Sequence, residues 1–289
     1  MEKNLYIDAS HPDETRVVLK ENENIEDYEY ETSKNNLIKN NIYLGKVSRV
    51  EPSLQAAFID FGRERHGFLS FNDIQSDYYQ IPSSDLDKIK KEEEKLRVEL
   101  AKKSEEDDIS EKGNDPTINE DNIKEKSTEI ENQNNLSQNK SRIPSKRYKI
   151  QEVIKPNQVI LVQVLKDERG LKGAALTTFI SIAGKYIVLM PNTPKGGGIS
   201  RKIFNFGERK KIRLILNEIE IPKEMGLIVR TAGSNKTKND IEYDLSSLIE
   251  NWNKIKENAI NSIAPALIHQ ESDIIKRTLR DIYDDDTKN

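Results

Sequence analysis

Apolar and polar residues alternate over most of the first 70 residues and again near residue 160, with the period of two that is typical of β-strands. The segments between these stretches are polar or contain glycine, as expected of turns. Short strands at this spacing favour a barrel or a sandwich. The predicted strands are residues 5–9, 16–19, 25–31, 41–50, 54–60, 66–70, 158–165 and 172–180.

The second half of the chain changes period and mixes strands with helices. Apolar residues recur at helical spacing from Ile241 to Ala259, which predicts a long amphipathic helix. A further helix is expected after Pro265, with Ile275, Leu279 and Ile282 on its apolar face. The class is therefore α+β, rich in strands first and mixed later. The remaining predicted elements are strands at 185–190 and 226–231 and a basic helix at 208–216.

The predicted barrel is interrupted between its third and fourth strands by an acidic segment at about residues 85–146. Its first part has a plausible helical pattern, but residues 114–140 consist largely of Asn, Glu, Asp, Lys, Ser and Gln. Such a composition cannot bury enough apolar surface to offset the entropy of the chain. We therefore expect a disordered surface loop, which a barrel tolerates because loop closure becomes only slowly more costly with length.

Charge is unevenly distributed, and this changes the meaning of the net charge of −4. Residues 85–131 contain 17 acidic and 10 basic residues, so the rest of the chain, with 33 acidic and 36 basic residues, carries +3. That balance is compatible with RNA binding without requiring it, and a solvated basic surface explains it equally well. One short stretch concentrates basic residues: Lys195, Arg201, Lys202, Arg209, Lys210, Lys211 and Arg213.

Composition also limits where in the cell the protein is expected and which kinds of metal or catalytic site it could contain. The chain has no cysteine, which excludes disulfides and thiolate metal sites from it. Neither a signal peptide nor an apolar run of membrane-spanning length is present in the sequence. We therefore expect a cytoplasmic protein. The three histidines are scattered, so a nucleophilic triad or a histidine metal site has no support.

Two groups of residues could carry binding chemistry. Phe58 and Phe68 lie on adjacent predicted strands and could stack on RNA bases, although core packing accounts for them about as well. Arg230 and Thr231 follow a predicted strand and precede a glycine turn, where a guanidinium and a hydroxyl could meet one phosphate. By itself this pair is more often an ordinary surface ion pair at a strand end.

Three stretches of the chain resemble the ribonuclease E/G family, the enzymes that begin bacterial mRNA decay. They are residues 42–70, residues 170–192, and residues 222–233, the last reading Pro-Lys-Glu-Met-Gly-Leu-Ile-Val-Arg-Thr-Ala-Gly. Fine features at residues 7–16 and 77–82 resemble the α-proteobacterial branch. The resemblance implies an S1-type OB-fold barrel inserted in an incomplete RNase H-like subdomain, followed by an α/β 5′-sensor subdomain.

The resemblance also implies boundaries and roles. The implied parts are an RNase H-like part at 1–36, an S1 domain at 37–178, a 5′-sensor at 179–275 and a second RNase H-like part at 276–289. Phe58, Phe68 and Lys172 match the family positions that contact RNA near the cleavage site. Arg230 and Thr231 match the pair that grips a 5′-monophosphate, while Gly184 and Val188 match contacts to the terminal nucleotide.

As a family member, the protein would belong to Mg²⁺-dependent endoribonucleases that act on single-stranded RNA in mRNA decay and in rRNA and tRNA processing. The family's catalytic Asp pair and its zinc link follow the region matched here, so we expect no catalytic residue and no bound Mg²⁺ or Zn²⁺ in this chain. It should bind RNA without cutting it. The family's homotetramer is uncertain for this chain, and a stand-alone, non-catalytic RNA-binding or regulatory module is the alternative function.

Overall fold

The computed structural model describes most of the chain outside the acidic segment. The disordered loop predicted within residues 85–146 lies largely outside the described residues. None of the helices in the described part is long and apolar enough to cross a membrane. The described residues are 3–11, 13–22, 24–32, 38–92, 95, 148–168, 172–193, 198–222, 224–271, 273–283 and 287–288.

The chain begins with an antiparallel meander, as the alternation near its start predicts. Strand β2 pairs with β1 on one side and with β3 on the other, and the short strand β14 adds to β1 in parallel. On β2 the side chains of Val17 and Leu19 are buried. The strands of this sheet are β1 (Lys3–His11), β2 (Glu14–Glu21), β3 (Asn24–Thr32) and β14 (Thr287–Lys288).

A closed five-stranded barrel follows, which confirms the predicted α+β fold with an OB-type barrel. Its strands run in the order β4-β5-β6-β8-β7 and close through pairing of β7 with β4. All neighbours are antiparallel except β6 and β8, which are parallel. This is the arrangement of an OB-fold. The barrel strands are β4 (Ile42–Glu51), β5 (Ala56–Asp60), β6 (Gly67–Ser70), β7 (Val159–Lys166) and β8 (Ala175–Thr177).

The acidic segment leaves and re-enters the barrel at neighbouring points. Residues 83–92 form helix α1 before it, and helix α2 (Ile150–Val153) follows it. The hydroxyl of Tyr148 donates to Asp85 Oδ2 at 2.8 Å, which ties the two ends of the segment together. The barrel itself closes through the pairing of β7 with β4.

In the C-terminal part of the chain, a second, smaller sheet packs with two helices around its own hydrophobic core. Its order is β11-β12-β10-β9, with β11 and β12 parallel and the other pairs antiparallel. Ile241, Leu245, Leu248, Trp252 and Ile255 form the buried face of the long helix, as predicted. The elements are β9 (Ile182–Ala183), β10 (Ile187–Met190), β11 (Gly198–Ile199), helix α3 (Phe206–Glu218), β12 (Gly226–Val229) and helix α4 (Lys238–Asn261).

The prediction after Pro265 needs two corrections. The chain first forms strand β13 (Ala266–His269), which pairs with β4 of the barrel, and only then helix α5 (Ile274–Asp281). The helix buries Ile274 and Thr278, while Leu279 is about half exposed. Its contact with β2 and β3, including an Arg277–Glu29 ion pair of 2.6 Å, decides which face turns inward.

Candidate nucleic-acid interface

Strands β5 and β6 bring together, on the barrel surface, the two aromatic residues that were predicted to bind RNA. Phe58 lies directly opposite Phe68 in the strand register, and their ring centroids are 6.0 Å apart at an interplanar angle of 75°. Phe68 is 37% exposed and Phe58 is partly exposed, so neither belongs to the buried core. Edge-to-face packing of this kind holds both rings while leaving ring surface accessible.

A third residue of this surface was missed from the sequence. Arg49 lies opposite Phe58 on β4, and its guanidinium carbon is 4.4 Å from the centre of the Phe58 ring. The strand pairing shifts register between Val47 and Arg49, so alternation along β4 could not have predicted which residue faces the ring. We call Arg49, Phe58 and Phe68 the stacking face.

Lys172 lies beside this face. It is exposed and immediately precedes Gly173, where an added Cβ would come within 2.0 Å of the His66 carbonyl oxygen. The next residue, Ala174, accepts a hydrogen bond of 2.8 Å from the amide of Phe68. Because glycine permits this close approach, the segment that carries Lys172 runs directly against the start of β6.

The predicted phosphate-binding residues gather at one edge of the second sheet. Arg230 follows β12, and its Nη1 donates to the carbonyl of Gly184 and to Asp281 Oδ1, both at 2.7 Å. A guanidinium has five N–H donors, and Nη1 uses both of its own here. Among the described residues, Nε and Nη2 have no hydrogen-bond partner. The guanidinium is thus anchored through Nη1 to two other segments of the chain.

Gly184 contacts this guanidinium, and Thr231 and Val188 belong to neighbouring segments. Thr231 is exposed and begins a short 3₁₀ turn, while Val188 pairs with Ala183, the neighbour of Gly184. The amide of Arg230 donates to Tyr186 O at 2.8 Å, which fixes the start of the turn against the β9–β10 hairpin. We call Gly184, Val188, Arg230 and Thr231 the sheet-edge site.

A carboxylate on α4 holds the hairpin in place. Asp244 accepts hydrogen bonds from the amides of Tyr186 at 2.8 Å and Ile187 at 3.1 Å, and a longer one from Lys185. A Cβ on Gly184 would lie 2.6 Å from both Asp244 oxygens, so a glycine is required for this approach. Asp244 was also missed, because a carboxylate in a helix 57 residues from Ile187 resembles any surface acid.

Asp281 links the sheet-edge site to helix α5. Its carboxylate also accepts from Arg280, at 3.1 Å from Nε and 2.9 Å from Nη2, and Arg280 Nη1 donates to Glu271. Burial alone would raise the pKa of Asp281, but hydrogen bonds and charges of Arg280 and Arg230 outweigh it and lower that pKa below its ordinary value. Asp281 therefore remains ionised at neutral pH and holds Arg230 by a charged hydrogen bond.

Further cations lie around the same hairpin. The Tyr186 ring centre is 5.7 Å from Lys185 Nζ and 5.1 Å from Lys236 Nζ, within the range of cation–π attraction. Lys185 Nζ is also 5.9 Å from the Tyr283 ring. These contacts add positive charge around the β9–β10 hairpin that also carries Gly184.

Carboxylates and histidines show no comparable gathering. Within the described ranges, no group of three or more His, Asp or Glu side chains has the geometry to hold a metal ion. Glu271, a conceivable acid, is bonded to Arg280 and lies 3.2 Å from His269 Nε2. Asp273 caps helix α5 by accepting from the amides of Ile275 and Lys276. Both acids therefore have structural partners.

Comparison with known proteins agrees with this architecture. A model described as the ribonuclease E/G family matches residues 181–289. The chain is 37% identical over 279 residues to the ribonuclease E of Haemophilus influenzae and 37% identical over 279 residues to that of Escherichia coli. A Nostoc ribonuclease E is 41% identical over 134 residues, or 46% of this chain and 19% of its own length. The first two matches cover 96% of this chain but only 23% and 21% of those relatives.

Proposed function

Because this chain belongs to the ribonuclease E/G family, we propose that it recognises single-stranded RNA for an endoribonuclease and reads a 5′-monophosphate at the leading end of that RNA. The stacking face would hold unpaired bases, and the sheet-edge site would hold the terminal phosphate. The chain spans only 23% and 21% of the two ribonuclease E relatives. Participation in RNA cleavage, in mRNA decay and in RNA processing, is therefore also part of this proposal.

The observation that carries this proposal is the accessible Phe58–Phe68 pair with Arg49 over one ring. OB-folds bind oligonucleotides on the face of their second and third strands, which are β5 and β6 in this barrel. Every base has a π-face, so aromatic rings there bind single strands of many sequences. Lys172 would add a phosphate contact beside the rings.

The sheet-edge site adds discrimination between RNA ends. A 5′-monophosphate offers several anionic oxygens to the Nε and Nη2 donors of Arg230, and a guanidinium binds such a group in two-point fashion. The hydroxyl of Thr231 and the peptide groups near Gly184 and Val188 would contact the same nucleotide. A 5′-hydroxyl end lacks the charge that these donors require.

In this proposal the chain recognises RNA, and its described residues take no part in hydrolysis. Phosphodiester hydrolysis in the family would use a carboxylate-held Mg²⁺. The described residues do not gather a carboxylate set that fits such an ion. As the family resemblance implies, we expect the chain by itself to bind RNA and to leave it intact.

The test compares single-stranded decamers with a 5′-monophosphate or a 5′-hydroxyl, using fluorescence anisotropy at low salt. The unmodified chain should prefer the phosphorylated decamer, and Arg230→Ala should reduce that preference about tenfold or more, as loss of a charged hydrogen bond predicts. Arg16→Ala is the control because Arg16 is an exposed arginine on β2 paired with Glu14. Equal binding of the two decamers by the unmodified chain would refute the sensor assignment.

A further inference from the structure

A turn rich in basic residues leaves the second sheet beside the sheet-edge site. Strands β11 and β12 are parallel, with Ile199 opposite Val229, and the amide of Ser200 donates to Val229 O at 2.9 Å. Adjacent strands in a sheet are about 4.8 Å apart. Arg201 and Lys202 therefore leave the sheet at the same edge as Arg230.

The turn has a fixed backbone. Ile203 is buried in the core of the second sheet, and Arg209 Nη1 donates to the carbonyls of Ser200 and Ile203 at 3.4 and 3.3 Å. Asn205 then caps helix α3 by accepting from the amide of Gly207 at 2.9 Å. Phe204, between two anchored residues, is 89% exposed. The Phe204 side chain is therefore exposed although the backbone on both sides of it is anchored.

The chemistry around Phe204 fits a polyanion with stackable rings. A second phenylalanine, Phe206, is exposed in the first turn of α3. Four exposed cations, none of which forms a side-chain ion pair with any described residue, belong to the same stretch: Arg201, Lys202, Lys210 and Lys211. An apolar protein partner would leave these cations without counter-charges, whereas RNA supplies both phosphates and bases. We call this stretch the 201–211 surface.

We propose that the 201–211 surface binds the nucleotides that follow the phosphorylated first nucleotide, with Phe204 stacking on a base and Arg201 and Lys202 contacting phosphates. This inference rests on the proposed function, because the sheet-edge site sets the position of the first nucleotide. The adjoining surface would make affinity depend on RNA length as well as on the 5′ end.

The experiment uses the full chain and two 5′-monophosphorylated ligands, a single nucleotide and an unstructured RNA octanucleotide. Phe204→Ala should weaken octanucleotide binding about fivefold or more, the effect of losing one stacked base, and leave binding of the single nucleotide unchanged. The ratio between phosphorylated and 5′-hydroxyl octanucleotides should stay the same. Tyr30→Ala is the control, since Tyr30 is an exposed aromatic residue on β3 of the first sheet.

Two further variants separate stacking from other causes. Phe204→Leu keeps an apolar side chain without a ring face, so it should behave like Phe204→Ala. The double change of Arg201 and Lys202 to Ala should lower the slope of log K against log salt by about 1.4, since each single-strand phosphate contact contributes about 0.7.

The outcomes distinguish this inference from the function on which it rests. If Phe204→Ala binds the octanucleotide like the unmodified chain while Arg230→Ala loses end discrimination, the 201–211 surface is refuted and the sensor stands. If Phe204→Leu retains full affinity, stacking on RNA is refuted. If the unmodified chain ignores the 5′ phosphate at both lengths, the proposed sensor itself fails.

Discussion

The stacking face and the sheet-edge site are assembled by the chain in different ways. Phe58 and Phe68 face each other across one hairpin, so neighbouring segments of sequence build the surface. Arg230 instead meets Gly184 across 46 residues and Asp281 across 51, because Gly184 follows β9, Arg230 follows β12 and Asp281 ends α5. Ring stacking tolerates small displacements, whereas a two-point phosphate contact depends on donor positions. A locally built surface therefore suits the RNA binding proposed for the stacking face, and a site assembled from distant segments suits the proposed discrimination between RNA ends.

The largest effect expected from this contrast comes from removing both rings of the stacking face. Changing Phe58 and Phe68 together to Ala should weaken RNA binding about 100-fold, because each stacked base contributes about 1–3 kcal/mol. The loss should be equal for 5′-monophosphate and 5′-hydroxyl RNA, measured by anisotropy. Circular dichroism checks the fold, and an unfolded barrel would mean that the rings are structural instead.

The next largest effect is expected on stability, from removing the carboxylate that anchors the hairpin of the sheet-edge site. Asp244→Ala leaves the amides of Tyr186 and Ile187 without their acceptor, and each unpaired buried donor costs about 1–3 kcal/mol. We expect the free energy of unfolding to fall by about 3 kcal/mol in urea denaturation. Glu242→Ala, on the same helix, is the control and should change it by less than about 0.5 kcal/mol. A similarly small change for Asp244→Ala would contradict its anchoring role.

A smaller change at Asp281 tests whether the orientation of Arg230 limits the proposed recognition of a 5′-monophosphate. Asp281→Asn removes the charged partner of Nη1, so preference for 5′-monophosphate RNA should fall about fivefold while 5′-hydroxyl binding is unchanged. Tighter binding to phosphorylated RNA would instead show that Asp281 competes with the phosphate for Arg230.

The same variant has a pH signature in stability. The pKa of Asp281 is lower in the folded protein than its ordinary value of 3.8, so its ionised form stabilises the fold above that pH. The difference in unfolding free energy between the unmodified chain and Asp281→Asn should be fully present at pH 6–7. It should shrink as pH falls below about 3.8 and the carboxylate becomes protonated. A difference that is independent of pH would contradict an ionised Asp281.

The smallest effect is expected at Arg49. Its guanidinium, held over the Phe58 ring, would add a cation–π contact of about 0.5–1 kcal/mol to a bound base, so Arg49→Ala should weaken RNA binding about threefold. In Phe58→Ala the same change should have less effect, because the ring partner is already absent. Combined with Arg230→Ala, the losses should simply add, since no contact between described residues joins the two sites. Coupling between them would break the separation of stacking from end recognition.

More of the stacking face than of the sheet-edge site was predicted from the sequence, because the first is built from neighbouring segments and the second from distant ones. Strand alternation placed Phe58 and Phe68 on adjacent strands, and only the irregular pairing near Arg49 hid the third member. The partners of Arg230 could not be predicted in this way, because Asp244 and Asp281 lie on helices far along the chain. Their local patterns are those of ordinary surface acids. Strand β13 was also missed, since its pairing with β4 depends on a distant segment.

The strand and helix periods, the α+β class, the aromatic pair and the Arg-Thr turn follow from the sequence, because they depend on residues close together in the chain. Three features became known only from the folded molecule: the carboxylates that anchor the hairpin and the guanidinium, the inward face of the helix at Ile274 and Thr278, and the emergence of residues 201–204 beside Arg230. Those features depend on strand register and helix docking. Both are set by the packing of distant segments rather than by local pattern.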